Sequence, residues 1–236
     1  MPISPRSHHE AFEPTQTFDH SSTTIYRMPD RALSHQLITH LINSYFVNYH
    51  TSYPFVHEAT FRAQYSELVK RPEKFAWNML LNSILAFGAW CSGNDLDDIF
   101  YRRAVSPWQD RCILESGSLP LVQALLLLSN YTQKRDKPNT GWNFLGLAVR
   151  MALGLGLYRE LPKWDISILE REIRRRVWWG IFIFDSGASK TFGRVVLLPD
   201  SDTMDVKHVL NVPDEVSRSI VAIWMAKSYT ASHSTD

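Results

Sequence analysis

Two groups of residues in this chain could do chemistry. Asp97 and Asp98 form an aspartate pair at the expected start of a helix, and Arg174, Arg175 and Arg176 run into Trp178 and Trp179. In a helical protein, paired carboxylates facing arginines could hold magnesium against a diphosphate substrate. Such a cluster needs a third carboxylate one turn on, and Tyr101 occupies that position. The competing reading, which the spacing favours, sets Asp95, Asp97 and Asp98 at a helix N-terminus, where their charge complements the dipole. His57-Glu58 opens a zinc-protease pattern, but Phe61 stands where the second imidazole ligand belongs. Gly154-Leu155-Gly156 has part of a phosphate-loop spacing, yet Arg159 replaces the third glycine and a helix precedes it, so these glycines read as a helix terminus. The serines and histidines show no nucleophile-elbow spacing.

The arginines could form a phosphate-contacting patch or part of a nuclear address. Three consecutive positions span too much of a helical turn to make one flat stripe. The favoured reading places them on the solvated side of an amphipathic helix, paired with Glu170, Glu172 or a carboxylate elsewhere, their stems covering the tryptophans. Trp178 and Trp179 read as core anchors. Adjacent helical positions point about 100° apart, so two packing surfaces are implied.

Composition limits the remaining classes. The 236 residues are 44% hydrophobic and 21% charged with a formal net charge of +1, which suits a soluble globular protein and gives no bulk attraction to nucleic acid. Two cysteines, Cys91 and Cys112, are too few for a four- or six-cysteine metal cluster and fit a reducing compartment. Residues 1–10 lack the apolar core and basic flank of a secretory signal. The longest apolar stretch, Leu119 to Leu128, is about half of what a bilayer span needs and reads as a buried helix.

The elements that would position these residues are helical. Residues 1–30 are rich in Ser, Thr, Pro and His and read as a flexible tail. Leu33, Leu37, Leu41, Tyr45 and Tyr49 recur at helical spacing, Tyr53-Pro54-Phe55 breaks the run, and Phe61, Tyr65 and Leu68 mark a shorter helix. Phe75 to Cys91 is apolar almost all round, so a central, enclosed helix is expected, ended by Ser92-Gly93-Asn94. A further helix is expected from Asp97 to Leu114, kinked or split at Pro107, followed by one over Leu121 to Tyr131 that starts at Ser118 and Pro120. Lys134 to Asn139 reads as a connector, and Trp142, Leu145, Val149 and Ala152 as the face of the next helix. Ser167 and Glu170 have capping-box spacing, opening a helix to about Ser186 with Ile173, Val177 and Ile181 as its apolar stripe and Arg171, Arg174 and Arg175 on the polar side. Val195 to Leu198 could be extended. No run shows sustained strand alternation, so the class is all-α, a multi-helix domain of packed hairpins over residues 31–212, with a divergent stretch at 213–236.

The order of features resembles the middle homology region of fungal zinc-cluster transcription factors, of the xylanolytic-activator type, over about residues 33–205. The resemblance is carried by Tyr53-Pro54-Phe55-Val56-His57, by Ile84 to Ala89 and by Val122 to Leu127. It continues through Gly146 to Arg159 with Arg150 inside it, through Arg174-Arg175-Arg176-Val177-Trp178-Trp179, and through Asp185 and Gly193-Arg194. The family's proline after Gly-Arg is here Val195.

The resemblance implies an all-helical regulatory domain of a nuclear transcription regulator, one without catalysis and without a cofactor of its own. Zinc would belong to the six-cysteine DNA-binding cluster of intact members, whose cysteines this sequence lacks, so DNA would be reached only through a module not present here. The sequence is expected to be either a natural stand-alone version or a truncated one. Partners would be proteins or other domains of the regulator, with a small-molecule effector in an interhelical pocket, and no membrane. Arg150, Arg174, Arg175, Arg176, Trp178, Trp179, Asp185 and Arg194 are the expected structural and regulatory motif. The arginines are expected to hold carboxylates such as Asp185 or Asp200 across helix contacts. The alternative is an all-α magnesium-dependent enzyme acting on a diphosphate through Asp97, Asp98 and the arginines.

Overall fold

The computed structural model describes residues 34–106, 117–160, 164–199 and 201–210, and among them all regular structure is helical. The expected tail over 1–30, the helix past residue 106, Cys112, Asp200 and the stretch 213–236 lie outside the described residues. Among the described residues seven α-helices follow one another: α1 (His35–Asn48), α2 (Glu58–Tyr65), α3 (Lys74–Cys91), α4 (Asp97–Val105), α5 (Leu119–Lys134), α6 (Pro138–Gly154) and α7 (Ile168–Phe192). A short 3-10 turn spans Ser201–Thr203.

The apolar content of α3 and α5 places them at the centre. α3 packs against α1, α4 and α5, and α5 also packs against α6 and α7. Met79, Ile84, Phe87, Leu121, Leu125 and Leu126 are fully enclosed, as helices apolar on nearly every side require. Gly88 lets α1 and α3 approach closely, because a β-carbon there would overlap the Leu41 carbonyl group. Tyr45, Tyr49 and Phe87 form an aromatic cluster beside this crossing.

Helix ends follow local chemistry. The Ser34 hydroxyl accepts from the Leu37 amide (3.2 Å) and opens α1, and the Ser167 hydroxyl accepts from the Glu170 amide (3.1 Å) and opens α7. His57 has the same role for α2: it is buried, and its Nδ1 accepts from the Thr60 amide at 3.3 Å. The His57-Glu58 pair is therefore a helix start.

Four expectations need correction. Leu68 is 79% exposed and lies beyond α2, because Glu67 takes a left-handed conformation that ends the helix. α6 begins at Pro138, inside the expected connector, since proline suits a first helical turn. α7 continues to Phe192, six residues past Ser186: Gly187 stays helical, and the left-handed Gly193 (φ 63°) ends the helix. Trp90 is half-exposed on otherwise buried α3, with the Lys134 ammonium 5.0 Å from its ring.

Candidate functional site

The aspartate pair is not assembled for metal chemistry. Asp97 is buried, and its Oδ2 accepts from the Tyr131 hydroxyl (2.8 Å) and lies 3.5 Å from Arg135 Nε. Asp98 turns outward and pairs with Arg102 one turn later (2.7 Å). The two carboxylates thus serve different partners, and Tyr131 and Arg135 tie α4 to α5. Among the described residues no group of three His, Cys, Asp or Glu side chains could hold a metal ion.

The arginines of α7 build a different site. Being consecutive on a helix, they point three ways and meet different sets of partners. Arg174 donates from Nη2 to the carbonyls of Leu155 (2.7 Å) and Gly156 (3.4 Å), closing the open C-terminal end of α6. Arg175 is buried, 8% exposed, and donates to both carboxylate oxygens of Glu160, from Nε at 3.1 Å and from Nη2. Its Nη1 lies 3.7 Å from Glu172. Arg176 Nε donates to Glu172 at 3.2 Å. Arg171 adds Nη1 to the Glu160 carbonyl (2.7 Å).

Arg175 was expected on the solvated side of α7, and burial between two glutamates is the correction. Glu172 is one of the expected acceptors and Glu160 is the carboxylate from elsewhere, whereas Asp185, also expected to be held by an arginine, accepts from main-chain amides. Arg194, expected to hold a carboxylate, donates to Asn139 Oδ1 (2.6 Å), with its guanidinium carbon 4.9 Å from the Trp142 ring centroid. Arg150 is exposed on α6, with no hydrogen bond or ion pair among the described residues.

The two glutamates grip main chain. Glu160 Oε2 accepts from the Lys207 amide (3.0 Å), and Glu172 accepts from the Leu210 amide through Oε1 (3.0 Å) and Oε2 (3.2 Å). The Tyr158 carbonyl accepts from the Asp205 and Val206 amides (3.2 Å each), and Asp205 Oδ1 accepts from the Glu160 amide (3.0 Å). Trp179 donates its indole N–H to the Lys207 carbonyl (2.9 Å) and stacks on His208, with centroids 5.0 Å apart. Trp178 is the fully buried core anchor that was expected, whereas half-buried Trp179 belongs to this clamp. The Arg175 guanidinium holds the Glu160 carboxyl below the usual carboxylate range, the Lys207 amide pulls the same way, and burial opposes both.

Further along α7, fully buried Asp185 accepts from the amides of Leu197 (2.8 Å) and Leu198 (3.0 Å) through Oδ2, while Oδ1 has no partner among the described residues. Burial pushes this carboxyl above its ordinary value, and the two amides pull it back. The stretch once expected to extend as Val195 to Leu198 is held as a loop by this carboxylate. Gly180, between the two devices, packs directly on Phe55, where a β-carbon would overlap the ring.

Glu160 is the residue that sequence reasoning missed. It lies outside every periodic segment, and fifteen residues separate it from Arg175. Its position one residue after Arg159, at the end of the Gly146 to Arg159 motif, was the only signal.

The result is a helical scaffold whose charged side chains hold a later segment of the same chain. The chain belongs to the fungal specific transcription factor domain family, whose model matches residues 42–215. It is similar to the lactose regulatory protein of Kluyveromyces lactis, 39% identical over 173 residues that make up 72% of this chain and 20% of that protein. It is also similar to the nitrogen assimilation transcription factor nirA of Emericella nidulans (31% identical; 77% of this chain, 21% of that protein). A third relative is the acetamidase regulatory protein of Emericella nidulans (32%; 74% and 22%). The chain therefore spans about a fifth of the length of these relatives. No solved structure matches it. The family and these relatives are transcriptional regulators, and nothing among them supports the diphosphate enzyme. No helix among the described residues is long and apolar enough to cross a membrane.

Proposed function

We propose that this chain is the regulatory module of a nuclear fungal transcription regulator, working through contacts with proteins and with other parts of the regulator. DNA is bound by a zinc-cluster module outside this sequence. The observation that supports the reading is the clamp: Glu160 and Glu172, set by Arg175 and Arg176, hold the main chain of residues 205–210 against α7. Arg174, Trp178, Asp185 and Arg194 keep α6, α7 and the following loop in the arrangement this grip needs, and exposed Arg150 is left for an outside contact.

Charge-assisted bonds to amides, made by largely buried carboxylates, are directional and sensitive to small displacements of the helix that carries them. That suits a module whose output depends on how its elements are set. A cavity of about 150 Å³ between α2, α3, α5 and α7, lined by Phe61, Leu80, Leu119 and Ile173 with His57 and Gln123 at its polar side, favours a small effector as an added input.

The test is a reporter assay with the chain fused to a heterologous DNA-binding domain in a yeast host. Glu172→Gln should change reporter output at equal protein level, and the purified chain alone should shift no DNA at physiological salt. Unchanged output, or a specific gel shift by the chain alone, would overturn the reading.

A further inference from the structure

The two sides of the clamp are built differently. On the receptor side the carboxylates are fixed by arginines: Glu172 is 6% exposed and braced by Arg176, and half-buried Glu160 is braced by two N–H groups of Arg175. The held segment is the opposite. Lys207, His208, Val209 and Leu210 are all exposed, and Val209 and Leu210 each keep 45% of their surface in solvent.

What holds that segment is mainly its backbone. The Asp205, Val206, Lys207 and Leu210 amides and the Lys207 carbonyl supply most of the bonds, the Asp205 carboxylate and the His208 ring on Trp179 being the side-chain exceptions. A receptor face that is already braced, occupied by an irregular segment that buries little apolar surface, resembles the arrangement by which proteins bind extended peptides, where main-chain hydrogen bonds supply the affinity. Elements with few buried apolar contacts also open locally at low cost.

We infer that the surface formed by Tyr158 and Glu160 of the segment after α6, with Glu172 and Trp179 of α7, is a peptide-binding groove and that residues 205–210 are its resident, displaceable occupant. This rests on reading the chain as an interaction domain and deepens it. The ligand class is an extended segment with free amides at two positions three residues apart, matching Lys207 and Leu210, and a flat ring at the position of His208. Proline at either amide position is excluded, because it removes the hydrogen that the glutamate accepts. Exchange of the resident for an outside segment of this kind would free residues 205–210 while leaving the groove occupied.

The test uses the full chain and a fluorescein-labelled peptide of residues 202–210 with blocked ends. Lys207→Pro combined with Leu210→Pro removes both gripped amides from the resident and leaves the groove side chains untouched. By emptying the groove it should raise the peptide's apparent affinity, read by fluorescence anisotropy, about tenfold or more over the unaltered chain. The same peptide N-methylated at the Lys207 and Leu210 positions should fail to bind. Three results would overturn the proposal: a folded double variant that binds no peptide, equal binding of the N-methylated peptide, or loss of helical circular dichroism in the double variant, which would make the segment an integral part of the fold. These readouts use purified protein and no reporter, so their failure is separable from failure of the transcriptional reading.

Discussion

Replacing Arg175 with methionine isolates the pair that braces the clamp. The native side chain is one-tenth exposed, donates twice to Glu160 and lies 3.7 Å from Glu172. Methionine fills much of the same space but leaves the Glu160 carboxylate, also one-tenth exposed, with the Lys207 amide and an Arg171 guanidinium nitrogen 3.9 Å away. Breaking a buried ion pair by removing one partner costs about 3–5 kcal/mol, and the remaining partners of Glu160 place this case near the lower end, about 3 kcal/mol. For a domain of this size each kcal/mol moves the melting temperature by about 2–4 °C, so a fall of about 6–12 °C is expected in thermal denaturation followed by circular dichroism. Replacing both residues, Glu160→Met with Arg175→Met, should lower the melting temperature by clearly less than the sum of the single changes, because no unpaired charge is then left in place. A fall below about 2 °C for Arg175→Met, or strictly additive losses, would refute the view that this pair is a coupled buried unit.

Gly88→Ala should force α1 and α3 apart at Leu41 and destabilise the chain by about 3 kcal/mol, read as a lowered urea midpoint; a wild-type midpoint would show that the crossing is not tight. The two perturbed carboxyls act in opposite directions with pH. Glu160, held below its ordinary value, contributes stability that is present above the unfolded-state value and lost as pH falls through its depressed one. Asp185, raised by burial, contributes stability that is present below its unfolded-state value and lost as pH rises through its elevated one. Asp185→Asn should therefore gain in melting temperature relative to wild type as pH is taken from about 4 to about 7, and a flat difference across that range would show that this carboxyl titrates as it does unfolded.

The helices were legible because burial imposes a 3.6-residue repeat that survives in the sequence, as at Leu41 and Tyr45 of α1 or Val177 and Ile181 of α7. Starts were legible where a side chain caps, at Ser167 for example. The end of α7 was not, since Gly187 is as compatible with a helix as with a stop, and only the left-handed Gly193 decides the matter. The site was half legible. Three adjacent arginines announce three directions, and Glu172, one turn earlier, was legible as a partner, but Glu160 and the Leu210 amide are brought in by tertiary approach and lie outside any helical turn of them. Side-chain type was a poor guide to exposure for the same reason: Arg175 is buried because two carboxylates meet it, and Leu68 is exposed because the backbone turns one residue earlier.

α7 carries two fastenings on one rod. Glu172 near its start secures the amide of Leu210, and Asp185, thirteen residues later and thus about 20 Å along the axis, secures those of Leu197 and Leu198. A single residue inserted between Val177 and Ile181 would rotate everything downstream by about 100° relative to everything upstream, so that one fastening could be met only by abandoning the other. The stretch of α7 between those two acids therefore works as a fixed gauge, whose length matters as much as the residues it packs.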